Sequence, residues 1–339
     1  MMPRRLLLSA VLVAAIGVAS PVMAASAYTT RPDDPGAVYL TAEDFGVKND
    51  GTADASAAIQ AALDKAATTA ANIVFVPSGR YRITRTLYLW RGVRIIGYGA
   101  TRPVFFLPPN TPGYQEGIGL MVMFTGAAPP GAGRGGPAIG AGRGGPARAG
   151  GAGPAGRGGR GGRAGGGAPF RVPFPPPGTV PPNPNIPDAN PGTFYPAMSN
   201  IDFEIGDGNP AAIAIRFHAA QHAFLTHMDF HVGSGLAALT EVGNEAEDLH
   251  IEGGRYGIIT DNTSPYWQFT LIDSVIEGQR DAAIREHLAQ LTLIRDTLRN
   301  VPVGVDIDPH YFDELWVKDS RFEHVSHAGI IISDEHNPQ

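Results

Sequence analysis

The 339-residue chain carries 44 glycines and 30 prolines, but 20 of those glycines and six arginines (Arg134, Arg143, Arg148, Arg157, Arg160, Arg163) fall within residues 126–167. The glycines there keep no three-residue period, which excludes collagen, and the rest of a chain that is 43% hydrophobic overall can bury a large core in one or two domains. Setting aside that stretch and Arg4-Arg5 leaves 18 basic residues against 32 acidic ones, a balance that argues against a nucleic-acid or membrane surface.

The chain opens as a cleavable signal peptide, residues 1–24: Arg4-Arg5, an apolar run over 6–18 and a small-residue close at Ala24. The run is too short to span a bilayer. Without cysteine the chain has neither a lipid-anchoring thiol nor disulfides. The expectation is a secreted or periplasmic protein with no membrane anchor, held by packing and backbone hydrogen bonds.

Residues 38–125 read as an N-terminal cap and the first coils. Alternating apolar residues from Val38 predict a short strand, and Asn49-Asp50-Gly51 is turn chemistry. Asp54 is placed to cap a helix running to about Ala67, with Ala55, Ile59, Ala62, Leu63 and Ala66 on its apolar side. Short strands follow over 73–83, 86–90 and 93–99. These residues (Phe45-Gly46, Asp50-Gly51 and Asp54; the Ala/Ile-rich helix; Val76-Pro77, Gly79, Tyr81 and Ile83; Gly97 and Gly99) resemble the N-terminal segment of pectate-lyase-superfamily β-helices. The resemblance is to the rhamnogalacturonase/epimerase-like group, with relatives among family-28 and family-55 glycoside hydrolases and some phage tailspikes. It implies an all-β fold: a single-stranded right-handed parallel β-helix, pectin-lyase-like, with an N-terminal capping α-helix.

Residues 126–190, rich in Gly and Arg and then in Pro, bury too little apolar surface to offset ordering and are expected to form a disordered insertion. Their Arg-Gly-Gly repeats lack the stacking aromatics of an RNA-binding segment before Phe170, and export removes the RNA. A solvated tether is the expectation.

Residues 191–339 carry a degenerate repeat, expected to be further β-helix coils. Segments centred on Asp202, Asp229, Glu252, Asp273, Asp296 and Asp319 recur every 21 to 27 residues. Each is followed by a small residue and a second apolar strand, as at Ala212-Ile213, Gly257-Ile258, Ala283-Ile284, Gly304-Val305 and Gly329-Ile330. The six acids form either a catalytic face or, as Asp before Ser or Thr commonly does, a set of backbone acceptors at a recurrent turn; the second is favoured. Because Ile330-Ile331-Ile332 reads like a mid-helix coil and β-helix ends are normally covered, the chain is also expected to be truncated at Gln339.

A second line of polar groups closes the second strands: Asp261, Glu286-His287, Asp308 with His310, and Asp334. At about 5 Å per coil, adjacent and alternate rungs bracket the carboxylate separations of retaining and inverting glycosidases, and imidazole beside carboxylate suits proton transfer near neutrality. Asp261, Glu286, Asp308, His310 and Asp334 are therefore the candidate catalytic residues; His287, with Tyr266 and Trp267 as a stacking platform, would bind substrate. Their bland counterparts are a solvated strand edge and aromatic packing on the neighbouring coil. Asp308-Pro309-His310 further resembles the signature of mannuronan C5-epimerases, with Asp334 one coil on and Asp319-Ser320 between. Val305 stands where that family has a tyrosine, and the polygalacturonase motifs are absent.

His218, His222, His227 and His231 have ligand-like spacing, and a strand would put His227, Asp229 and His231 on one face. Histidines beside a buried strand are the favoured reading, so no metal site is assigned. The functional expectation is a carbohydrate-active protein with a polysaccharide partner, cleaving glycosidic bonds as a hydrolase or lyase. Its alternatives are a uronan C5-epimerase and a non-catalytic, adhesive glycan binder. No cofactor is implied, except a divalent cation such as Ca²⁺ if the substrate is anionic. Oligomeric state is left open.

Overall fold

A computed structural model of the protein describes residues 25–129, 185–189, 192–260, 268–286, 290–307 and 314–332. These residues form a parallel β-solenoid of about 9 turns with 2 helices. Each full coil visits three ladders in turn. The first runs through Val38–Tyr39, Ile73–Pro77, Arg94–Tyr98 and Ala197–Ser199 to Leu315–Lys318, and the second through Asp50–Asp54, Arg80–Arg82, Val104–Leu107 and Asp202–Ile205 to Arg321–Glu323. Two long strands, Phe224–Gly233 and Asn244–Gly253, turn the corner and serve both ladders. The third is an 8-stranded sheet from Leu87–Leu89 to Ala328–Ile332.

The third ladder starts one coil late because a helix, α2 below, stands where its first strand would be. Before it, the expected strand is confined to Val38–Tyr39, and α1 (Ala42–Phe45) follows, opened by Thr41 and closed by Gly46 at φ 62°. Turn chemistry at Asp50 operates inside a strand: its Oδ1 accepts from the Thr52 N–H at 2.9 Å and Oγ1 at 2.7 Å. Asp54 ends that strand, and its carboxylate accepts from the Ser56 N–H at 2.9 Å and hydroxyl at 2.6 Å. Helix α2 (Ser56–Ala66) begins there and buries Ile59, Ala62, Leu63 and Ala66, the face its 3.6-residue period predicts. It packs on Leu87–Leu89, Val38–Tyr39 and Ile73–Pro77.

The interior is built by stacking like on like. Along the second ladder Tyr81, Phe105, Phe203, Phe230, Ile251, Ile276, Leu298 and Phe322 pair rung to rung. Phe203 stacks on Phe230 with centroids 5.4 Å apart and meets Phe105 edge-on at 5.7 Å, geometries that each add about 0.5–1.5 kcal/mol to the burial itself. Two of the small residues near the start of the third-ladder strands are kept small by this column and by the backbone of the next coil. A Cβ on Gly304 would lie 2.5 Å from the Phe322 ring, and one on Gly257 2.5 Å from the Ile276 methyl.

The corner between first and second ladders corrects the acid row. Left-handed backbone recurs there at Asn200, His227, Asp248, Asp273, Arg295 and Asp319, with φ of 51–58°. Only Asp273 and Asp319 of the six acids sit on it; Asp296 lies one residue later, Asp202 and Asp229 two, and Glu252 beyond them. The six acids therefore do not form one line, because a slip of one residue along a strand moves a side chain to the opposite face. The backbone-acceptor role does hold for two. Asp202 accepts from the Asp229 N–H at 2.8 Å, and Asp296 from the Ser274 and Ile294 N–H groups, both at 2.9 Å.

The same corner undoes the proposed histidine face. His227, at φ 55°, interrupts the strand alternation and pairs with Asp248 at 2.6 Å, while His231 pairs with Glu252 at 3.0 Å. Among the described residues no cluster of three His, Asp or Glu side chains suits a metal, and no helix is long and apolar enough to cross a membrane.

Candidate functional site

Two polar surfaces stand out. The first is the outward wall of the second ladder. Here Arg80 bridges two coils to Glu204 at 2.8 Å, and the buried Arg102 guanidinium reaches both Asp202 (2.9 Å) and Asp229 (2.7 Å) on adjacent rungs. Burial pushes Asp202 up to about 6, with Arg102 and the Asp229 N–H pulling the other way. Further along, Glu277 takes both Arg299 (2.8 Å) and His250 (2.8 Å). The Arg299 hydrogen bond, aided by His250, holds Glu277 down at about 2. Each of these ionisable groups is held by a partner one or two coils away.

The second surface follows the ends of the third-ladder strands, where the chain hands over to the first ladder. Tyr256–Ile259, Ala282–Glu286, Val303–Ile307 and Ala328–Ile332 are consecutive strands of one sheet, with Ile259, Arg285, Asp306 and Ile331 in register. The sequence-derived site residues follow directly on these ends. Glu286 is the last residue of its strand, in register with Ile307 and fully buried. Asp261, Tyr266, Trp267, His287, Asp308, His310 and Asp334 lie outside the described residues. Around Glu286 the row carries Thr260, whose N–H donates to the Arg285 carbonyl, and an Arg285–Asp306 ion pair at 3.1 Å.

Toward the N-terminal coils the row continues into a buried charge cluster that sequence reasoning missed. Arg216, in register with Thr240, donates to both oxygens of Asp188 (3.1 and 2.6 Å), and His218 Nδ1 lies 3.0 Å from the same carboxylate. Glu241 approaches Arg216 to 4.0 Å. Burial works to raise Asp188, but the His218 and Arg216 hydrogen bonds and charges outweigh it and hold the carboxyl well below the ordinary carboxylate range. Composition grouped Asp188 with the insertion. Its signal was there, since it is the one acidic residue across 126–190. Around it Thr125 Oγ1 donates to the Pro187 carbonyl at 2.8 Å, and Ile186 packs on the core, so residues 185–189 lie against the body.

In sequence, residues 39–123 match the family described as rhamnogalacturonase A/epimerase, pectate lyase-like. None of the curated proteins matches the chain. Among solved structures, the catalytic unit of a GH87 alpha-1,3-glucanase from Streptomyces thermodiastaticus aligns at TM-score 0.48 and 15% identity over 91% of this chain and 44% of that one. ORF18 of Geobacillus virus E2 aligns at TM-score 0.44 and 10% identity, over 88% and 60%. The Dettilon tailspike protein aligns at TM-score 0.39 and 10% identity, over 89% and 48%. The chain thus spans less than two thirds of each of these three. Strand pairing and the family match together make the fold a pectate-lyase-like parallel β-helix.

Proposed function

We propose that the protein is an exported enzyme that cleaves glycosidic bonds in a polysaccharide, with its chemistry along the strand ends of the third ladder. The observation that carries this reading is the register of Tyr256–Ile259, Ala282–Glu286, Val303–Ile307 and Ala328–Ile332. Chain segments bearing Asp261, Glu286, Asp308 with His310, and Asp334 leave consecutive rungs about 5 Å apart, a spacing suited to paired carboxylates on either side of a scissile bond. In this reading Asp308 or Asp334 is the acid/base, and His310 shuttles the proton or holds substrate. Asp261 flanks the bond, Glu286 is fully buried and backs the edge rather than reaching substrate, and His287, Tyr266 and Trp267 bind the sugar. Residues 1–24 direct export and are removed. The acidic body selects a neutral glycan, or an anionic one with a divalent cation.

One observation weighs against the epimerase alternative. Val305, three residues before Asp308, is fully buried in the core, so that position supplies no group to a substrate. The test is replacement of Asp308 and Asp334 by alanine, with reducing-end release followed on a panel of glycans. Loss of about 10²-fold or more in turnover is expected for removal of a general acid or base. Unchanged turnover sinks the assignment, and binding without turnover by the wild type makes the protein a glycan binder.

A further inference from the structure

A groove of about 470 Å³ opens at the start of three successive first-ladder strands. Its floor is Phe224, Glu245 and Thr270, which are in register across three coils and so extend over about 10 Å. Gln221, His222 and Gln268 form its sides. The His222 ring lies flat on Tyr195, with centroids 5.0 Å apart and planes 8° from parallel, and its backbone is held at φ 65°. A non-glycine residue in that region is unfavourable unless its surroundings fix it. Here Asn244 Nδ2 donates to the carbonyls of Ala219 (3.0 Å) and Ala220, and Tyr195 N–H to that of Gln221, pinning the loop that presents the imidazole. Gln268 Nε2 is engaged by Thr292 at 2.9 Å, which fixes the amide and leaves its oxygen as an acceptor.

The chemistry of the lining selects a ligand class. It offers amides, a hydroxyl, one carboxylate and, beside Phe224, the His222 ring held flat by Tyr195 behind it, and among the described residues lining it there is no lysine or arginine. Amides and a carboxylate pair with sugar hydroxyls, while aromatic faces cover the apolar face of a pyranose ring. A uronate chain would bring carboxylates toward Glu245 with no cation to meet them. We propose that this groove binds a stretch of neutral oligosaccharide away from the reacting bond. The proposal rests on the polysaccharide reading above and narrows its substrate to uncharged glycans.

The experiment is calorimetric titration of the full-length protein with hexaoses of glucose, galactose and rhamnose, and with oligogalacturonate and oligomannuronate. Glu245→Ala, Gln268→Ala and Asp308→Ala are titrated alongside, and thermal unfolding controls for folding. A neutral hexaose is expected to bind, about tenfold more weakly to each groove variant and with unchanged affinity to Asp308→Ala. Preference for either uronate, no binding of any neutral hexaose, or unaltered affinity in both groove variants overturns the proposal. The two readings fail separately. Groove-dependent binding by a protein that releases no reducing ends removes only the cleavage reading, and normal turnover with groove-independent affinity removes only the groove.

Discussion

The wall of the second ladder and the strand-end edge of the third are both rich in carboxylates and imidazoles, yet they are organised differently. On the wall, Arg102 ties Asp202 to Asp229, Arg80 reaches Glu204, and Glu277 holds His250 and Arg299. These contacts lie along or between coils and keep the coils in register. At the edge, Arg285 pairs with Asp306 and Asp188 with Arg216 and His218, but the strands end there, and the proposed function places its chemistry on the segments that follow. A parallel β-helix lines up like residues wherever its repeat carries them. Alignment alone therefore does not mark a site, and what an aligned row is bonded to does.

That distinction can be strained from its inner side first. Phe203→Ala removes the middle of the aromatic column behind the wall, and a loss of about 3–5 kcal/mol in denaturant unfolding is expected. A loss under about 1 kcal/mol would mean the column does not organise these coils. On the wall itself, Arg102→Met leaves Asp202 buried beside Asp229 without its cation. About 3 kcal/mol should be lost, and the double variant with Asp202→Asn should regain part of it.

The next test is one of pH. Asp296 is fully buried, and burial, opposed by the Ser274 and Ile294 N–H groups, pushes it up to about 7 from 3.8. The folded protein then keeps a proton that the unfolded chain releases. Its contribution is complete below pH 3.8 and is lost as pH rises through about 7. Thermal stability should fall across that window, and Asp296→Asn should flatten the fall. The smallest effect belongs to the exposed corner pair Arg295–Asp273, at 2.6 Å and about half exposed. Arg295→Ala should change stability by no more than about 1 kcal/mol, less in high salt.

Much of this architecture was legible in the residues, because coil stacking writes its geometry into the repeat. Gly304 and Gly257 stand in their strands for lack of room against Phe322 and Ile276 and the backbone of the next coil. The amphipathic period of α2 named its buried face. What the repeat hid was register. Left-handed backbone falls on Arg295, which has no preference for it, and otherwise on Asn, Asp and His, which favour it but serve equally in ordinary turns and strand ends, so the corner looked like continuous strand and the acids like one row. Asp188 was obscured differently, by proline-rich neighbours that read as insertion although the residue itself is committed to Arg216 and His218.

The central claim is that chemistry belongs to the third-ladder edge and that the second-ladder wall is structural. It is tested most directly by comparing two pairs of variants on the same glycan, measuring turnover and thermal midpoint together. Asp308→Ala and Asp334→Ala should lose about 10²-fold or more in turnover with little change in midpoint, while Arg102→Met and Asp229→Asn should lower the midpoint and keep turnover. The reverse pattern, with activity lost from the wall and kept at the edge, would contradict the account.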